Sequence, residues 1–113
     1  MHELALTQSI LQIANDEAAR SGATKVKAIR LKVGALTGVQ TEAIQFYLDT
    51  LSKGTVAEGM KLEAEHIPVG ATCGECGRFF LVEDYDLTCP DCGAMARITQ
   101  GKELFVESLE VET

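Results

Sequence analysis

CGECGRFFLVEDYDLTCPDCG, residues 73–93, decides how the rest of the chain is read. It holds two cysteine pairs, Cys73-Gly-Glu-Cys76 and Cys89-Pro-Asp-Cys92, with twelve residues between them. A two-residue gap lets both thiolates of a pair point at one ion. The glycine that follows each pair, Gly77 or Gly93, tolerates the positive φ that such a tight turn needs. Two turns of this kind supply four sulfurs in a tetrahedron, the donor set that suits Zn²⁺. Residues 79–87 (FFLVEDYDL) are expected to form the intervening hairpin of a zinc ribbon.

The competing explanations are disulfides, free buried thiols and iron. Nothing in the chain reads as an export signal, so a reducing compartment is expected and disulfides are disfavoured. The C-x-x-C-G and C-P-x-C-G pieces also resemble the two knuckles of rubredoxins, which hold iron in four sulfurs. Aromatic core packing is expected there, and this module offers only Phe79, Phe80 and Tyr85. Zinc is favoured. A four-thiolate site leaves no open position for water or substrate, so the expected role is structural, holding together a segment too small to fold alone.

Outside these pairs, residues 3–20 read as a helix, with Leu6, Ile10, Ile13, Ala14 and Ala18 at spacings of three and four and Gly22 as stop. KVKAIRLKVG (25–34) alternates as a half-buried strand, with Ile29, Leu31 and Val33 on one face and Arg30 and Lys32 on the other. TEAIQFYLDTLSKG suggests a second helix with Ile44, Tyr47, Leu48 and Leu51 as its apolar stripe and Gly54 as its end. KLEAEHIP (61–68) alternates again, and ELFVESLEVE (103–112) is β-rich but irregular around Glu107. That last strand has nothing to pair with in so small a cysteine module. It is expected to return to the sheet of the N-terminal part. The division expected is residues 1–68 with 100–113 as one domain and residues 69–99 as an inserted zinc-binding module.

Net charge is −7, which argues against a sequence-independent grip on nucleic acid. The one basic cluster, Lys25, Lys27, Arg30 and Lys32, alternates with apolar residues and reads as a solvated sheet face or edge. No apolar run approaches a membrane span, and the first segment mixes Gln, Asn, Asp and Glu among its apolar residues. A cytoplasmic protein is expected.

Catalytic constellations are scarce. No G-x-S-x-G, Walker loop or H-E-x-x-H occurs, and all four cysteines are committed, so an enzyme is not expected. Of the two histidines, His66 shares the strand parity of Leu62 and Ala64 and reads as a structural histidine facing inward, with Glu63 and Glu65 on the solvated face. His2 is less ordinary. It either caps the edge of the core in line with Leu6, or joins the amine of Met1 and its own amide nitrogen in a chelate. Nitrogen donors lying in a plane suit Ni²⁺ or Cu²⁺.

The opening M-H-E-L, the segment G-T-V-A-E-G-M-K-L (54–62), the paired C-x-x-C module and the ending E-L-F-V-E-S-L-E-V-E together resemble the HypA/HybF family, nickel metallochaperones of [NiFe]-hydrogenase maturation. The resemblance covers essentially the whole chain. It implies an α+β fold, a small mixed three-stranded sheet with two helices, completed by the C-terminal strand and carrying an inserted zinc-ribbon-like module. It also implies a nickel site at His2 and the backbone nitrogen of Glu3, with the terminal amine of Met1 as a further donor. Its zinc ligands fall on Cys73, Cys76, Cys89 and Cys92. The implied metals are Ni(II) as transient cargo and Zn(II) as a structural ion. The implied partners are the nickel-handling GTPase of the pathway and the hydrogenase large subunit, with urease as an alternative client. A rubredoxin-like carrier and a zinc-ribbon adaptor are the readings that compete with it.

Overall fold

A computed structural model describes residues 2–113. The chain folds as α1 (Glu3–Ser21), β1 (Lys25–Gly34), a short 3₁₀ turn (Ala35–Thr37), α2 (Thr41–Leu51), β2 (Lys61–Ile67), β3 (Gly70–Thr72), β4 (Phe79–Leu81), β5 (Arg97–Gln100) and β6 (Leu104–Glu112). It divides into two compact units. One comprises Met1–Lys32, Val39–Glu65 and Phe105–Thr113; the other comprises Val33–Gly38 and His66–Leu104. The second unit is wider than residues 69–99 because main-chain bonds draw the end of β1 into it. Gly34 N–H donates to Glu103 C=O at 2.7 Å and Leu36 N–H to Gly101 C=O at 2.8 Å. A Cβ at Gly34 would collide with that Gly101 carbonyl, so only glycine permits the approach.

In the first unit α1 buries Thr7, Ile10, Leu11, Ala14 and Ala18, the three-and-four spacing of one helical face. The face is rotated from the expected one. Ile13 is 43% exposed and Leu6 only half-buried, while Thr7 and Leu11 take the inner positions. Thr7 is tolerated there because its hydroxyl donates to Glu3 C=O at 2.7 Å, within the helix itself. Gly22, at φ 69°, ends the helix, and the next amide, Ala23 N–H, donates to Ala18 C=O at 2.9 Å.

α2 buries Ile44 and Leu48, with Tyr47 half-buried. It stops at Leu51, before Gly54, and Leu51 is 41% exposed. Ser52 takes the cap instead, donating to Leu48 C=O at 3.0 Å; Gly54 lies in the following turn, where its N–H donates to the Glu58 carboxylate at 2.8 Å. Gln45 ties α2 to the next strand, its side-chain oxygen accepting Leu62 N–H at 2.8 Å.

The first sheet has the order β2-β1-β6, so the C-terminal strand does return to the N-terminal sheet. Thr24 N–H donates to Glu112 C=O at the start of β1, and Gly34 N–H to Glu103 C=O at its end, which makes β1 and β6 antiparallel. Arg30 lies by Glu63 and Lys32 by Glu65, so β1 and β2 advance together and the sheet is mixed. β1 buries Ile29, Leu31 and Val33 as the alternation predicts, and Val26 and Ala28 as well. A central strand is covered more fully than alternation suggests. Val26 N–H also donates to Val56 C=O at 2.8 Å, where the segment after α2 buries Ala57 and Met60.

The basic cluster is not uniformly solvated. Lys25 and Lys27 are exposed, but Arg30 and Lys32 pair across the strands. Arg30 meets Glu63 at 3.6 Å and Glu107 at 4.0 Å, and Lys32 meets Glu65 at 3.7 Å and Glu107 at 3.0 Å. Glu107, where the alternation of β6 falters, serves both cations.

The second unit carries the sheet β4-β3-β5, all antiparallel. Residues 79–87 do not make a hairpin on themselves. β4 pairs with β3, which precedes the first cysteine pair, matching Ala71 with Phe80 and Thr72 with Phe79. The chain then turns at Asp84 and Tyr85, both at positive φ, and Asp86 N–H closes the turn on Glu83 C=O at 2.9 Å. Ala71, Cys73, Cys89 and Ala96 form the buried centre of this unit, with Phe80, Val82, Leu87 and Ala94 packed around it.

Candidate metal sites

The two cysteine pairs sit on matching turns. Cys73 N–H donates to Arg78 C=O and Gly77 N–H to Cys73 C=O, both at 2.9 Å. In the second turn Cys89 N–H donates to Ala94 C=O at 2.8 Å and Gly93 N–H to Cys89 C=O at 2.9 Å. Gly77 and Gly93 stand at φ 78° and 77°, so each closes its turn in the left-handed region, as the sequence predicts.

These turns bring all four sulfurs within 4.8 Å of one another. Cys73 Sγ lies 3.4 Å from Cys92 Sγ, and Cys76 Sγ lies 3.6 Å from Cys89 Sγ. Sulfurs about 2.3 Å from a tetrahedral centre lie about 3.8 Å apart, so the spacing fits one zinc-sized ion. No disulfide joins them. Cys73 and Cys89 are buried, whereas Cys76 and Cys92 reach solvent.

The protonation chemistry agrees with that geometry. The Cys76 N–H, then that of Glu75, holds Cys73 down to about 7. The Cys92 N–H, aided by that of Asp91, lowers Cys89 in the same manner. The other two thiols move up. At Cys92 the Ala94 N–H pulls downward, but the neighbouring sulfurs and burial prevail and push it up to about 12. At Cys76 the Arg78 N–H is likewise outweighed by Cys89 and burial. Four crowded thiols cannot all ionise without a cation among them, and a divalent ion supplies that charge.

His2 occupies the N-cap position of α1, at φ −92° and ψ 83°. Its carbonyl accepts Leu6 N–H at 3.0 Å, its imidazole makes no cap hydrogen bond, and the residue is exposed. The Glu3 carboxylate accepts Gln40 N–H at 3.0 Å, joining the starts of α1 and α2. That bond lowers the Glu3 pKa. Met1 lies outside the described residues. His66, expected to face inward, is exposed, because the alternation of β2 breaks after Glu65 and Ile67 turns in instead. Glu63 and Glu65 are exposed and engaged by the β1 cations. Among the described residues, the four cysteines are the only group of three or more metal-ligating side chains at ligating distance.

Two contacts escape a reading of motifs. Gln40 as the partner of Glu3 has no signal in the sequence. The ion pair between Arg78 and Asp91, at 2.8 Å, joins the two cysteine turns. Opposite charges placed just after one pair and inside the other were its only trace.

Helices on a mixed sheet, with four clustered cysteines in a second small sheet, define a two-part protein able to hold a metal ion. The family described as "Hydrogenase/urease nickel incorporation, metallochaperone, hypA" matches residues 1–111. A hydrogenase maturation factor HypA of Acidithiobacillus ferrooxidans is 40% identical over 113 residues, covering 99% of this chain and 100% of that protein. One from Caldanaerobacter subterraneus subsp. tengcongensis is 36% identical, with the same coverage. The solution structure of the Ni metallochaperone HypA from Helicobacter pylori superposes with a TM-score of 0.66 at 22% identity, covering 99% of this chain and 98% of that one. A second HypA solution structure gives 0.76 at 23% identity, covering 98% and 96%. The chain belongs to the HypA family of hydrogenase/urease nickel incorporation metallochaperones.

Proposed function

We propose that the chain binds Ni(II) through His2, using the imidazole and backbone nitrogen, and through the backbone nitrogen of Glu3, and delivers it during [NiFe]-hydrogenase or urease maturation. The observation that carries this reading is the state of His2. It stands exposed beside the first turn of α1 with its imidazole committed to no helix cap, which speaks against a mere packing role. Glu3 is a poor candidate for a carboxylate ligand in this state, since Gln40 N–H already occupies it. Its side chain instead fixes the start of α1. The Met1 amine is a further donor in this proposal.

In the same reading Cys73, Cys76, Cys89 and Cys92 hold a structural zinc, which supplies the cross-link that this small unit otherwise lacks. The protein is a carrier, not an enzyme, and its proposed partners are the nickel-handling GTPase and the hydrogenase large subunit, in the cytoplasm. No described helix is long and apolar enough to cross a membrane.

Calorimetric nickel titration of the wild type beside His2→Ala tests the site. The variant should lose nickel binding and keep one zinc. Full nickel affinity in His2→Ala would overturn the proposal. A residue added before Met1 should weaken nickel without touching zinc if the Met1 amine takes part.

A further inference from the structure

We propose that Arg78, latched to Asp91, controls how firmly the four-thiolate centre keeps its zinc, a role resting on the zinc reading above. The geometry places one ion pair across the seam between the two cysteine turns. Arg78 follows the first turn directly, and its carbonyl accepts Cys73 N–H at 2.9 Å. Asp91 lies inside the second turn, two residues after Cys89. The Arg78 guanidinium reaches the Asp91 carboxylate at 2.8 Å. A single contact thus joins the two turns that carry Cys73 and Cys89, the two buried cysteines.

The guanidinium has a second use. Arg78 stands two residues after Cys76, and its guanidinium, held on Asp91, reaches from the turn carrying Cys76 to the turn carrying Cys89. The sulfurs of those two cysteines, one from each turn, are 3.6 Å apart. Zinc with four thiolates carries a formal charge of about −2, in a chain already at −7. A guanidinium fixed beside that half of the cage offsets some of this charge. Cys76 is one of the two ligands open to solvent, where a competing chelator or oxidant would first displace a sulfur. Outer groups that orient and neutralise metal ligands commonly change metal affinity by about 10–100-fold when removed.

The two contributions separate by substitution. Arg78→Met removes latch and charge, Asp91→Asn removes the latch but leaves the cation, and Arg78→Lys keeps a cation able to reach Asp91. Each zinc-loaded full chain would be mixed with excess chromogenic chelator and the rate of zinc transfer followed. Cobalt-substituted samples would be compared by their thiolate-to-metal charge-transfer bands. Arg78→Met should release zinc roughly tenfold faster and shift the cobalt bands. Asp91→Asn should be intermediate, and Arg78→Lys should recover much of the wild-type rate. Release from Arg78→Met at the wild-type rate, with unshifted bands, would overturn the proposal. So would equally fast release from Arg78→Met and Arg78→Lys, since that reports only a disturbed fold. A wild type that takes up no zinc would instead overturn the zinc assignment.

Discussion

Cys73 and Cys92 face each other at 3.4 Å yet hold their protons very differently, at about 7 and about 12. In the metal-free site the Cys76 and Glu75 N–H groups favour the Cys73 thiolate, while Cys92 keeps its proton near neutral pH. Zinc must displace the Cys92 proton throughout the physiological range, and increasingly that of Cys73 as the pH falls through 7. Zinc affinity should drop as pH is lowered, more steeply below 7, with proton release visible in calorimetry across buffers of different ionisation enthalpy. An affinity flat between pH 6 and 8 would contradict the thiolate assignment. Replacing any one of the four cysteines by Ser should cost the zinc. At this scale the cysteines were legible because a metal site is written in local spacing. The setting of Glu3 was not, since its partner Gln40 lies 37 residues away.

The elements followed the sequence where a periodic apolar pattern runs the length of the element. β1 and α1 lie close to their predicted ranges because alternation and helical periodicity record which face meets a core. The rotation of α1 was hidden because Thr7 counts as polar, although its hydroxyl is satisfied by Glu3 C=O. The boundary of α2 was misplaced because Gly54 is a strong stop signal, while the real cap uses an ordinary serine. Two substitutions examine these elements. Leu48→Ala removes a fully buried side chain facing the α1 core and should cost about 2–5 kcal/mol by denaturant unfolding, leaving zinc content unchanged. Gly34→Ala forces a methyl against the Gly101 carbonyl and should cost about 1–3 kcal/mol. A neutral Gly34→Ala would show that the loop at Gly101 yields freely.

For the molecule as a whole, the proposed zinc and the aliphatic core should stabilise different sets of residues. Burial in the first unit rests on Ile10, Ile29, Leu31, Ile44, Leu48 and Met60, aliphatic groups needing no ion. The second unit centres on Ala71, Cys73, Cys89 and Ala96, two of which are proposed zinc ligands. Stripping zinc with a chelator should therefore speed hydrogen exchange at β3, β4 and β5 while α1 amides keep their protection. Simultaneous loss of protection in α1 would show that the zinc also supports the aliphatic core.

The sequence alone determined the pairing of the four cysteines, the two helices and the return of the last strand. Each depends on residue type at short spacing or on the count of apolar segments needing a partner. Only the tertiary structure decided which thiols are buried, that β4 pairs backwards with β3, that His66 faces outward, and that Arg30, Lys32 and Glu107 neutralise one another across strands. These are matters of register and of contacts between residues far apart in the chain. No local pattern encodes them, because the same alternation is compatible with several pairings and only packing selects among them.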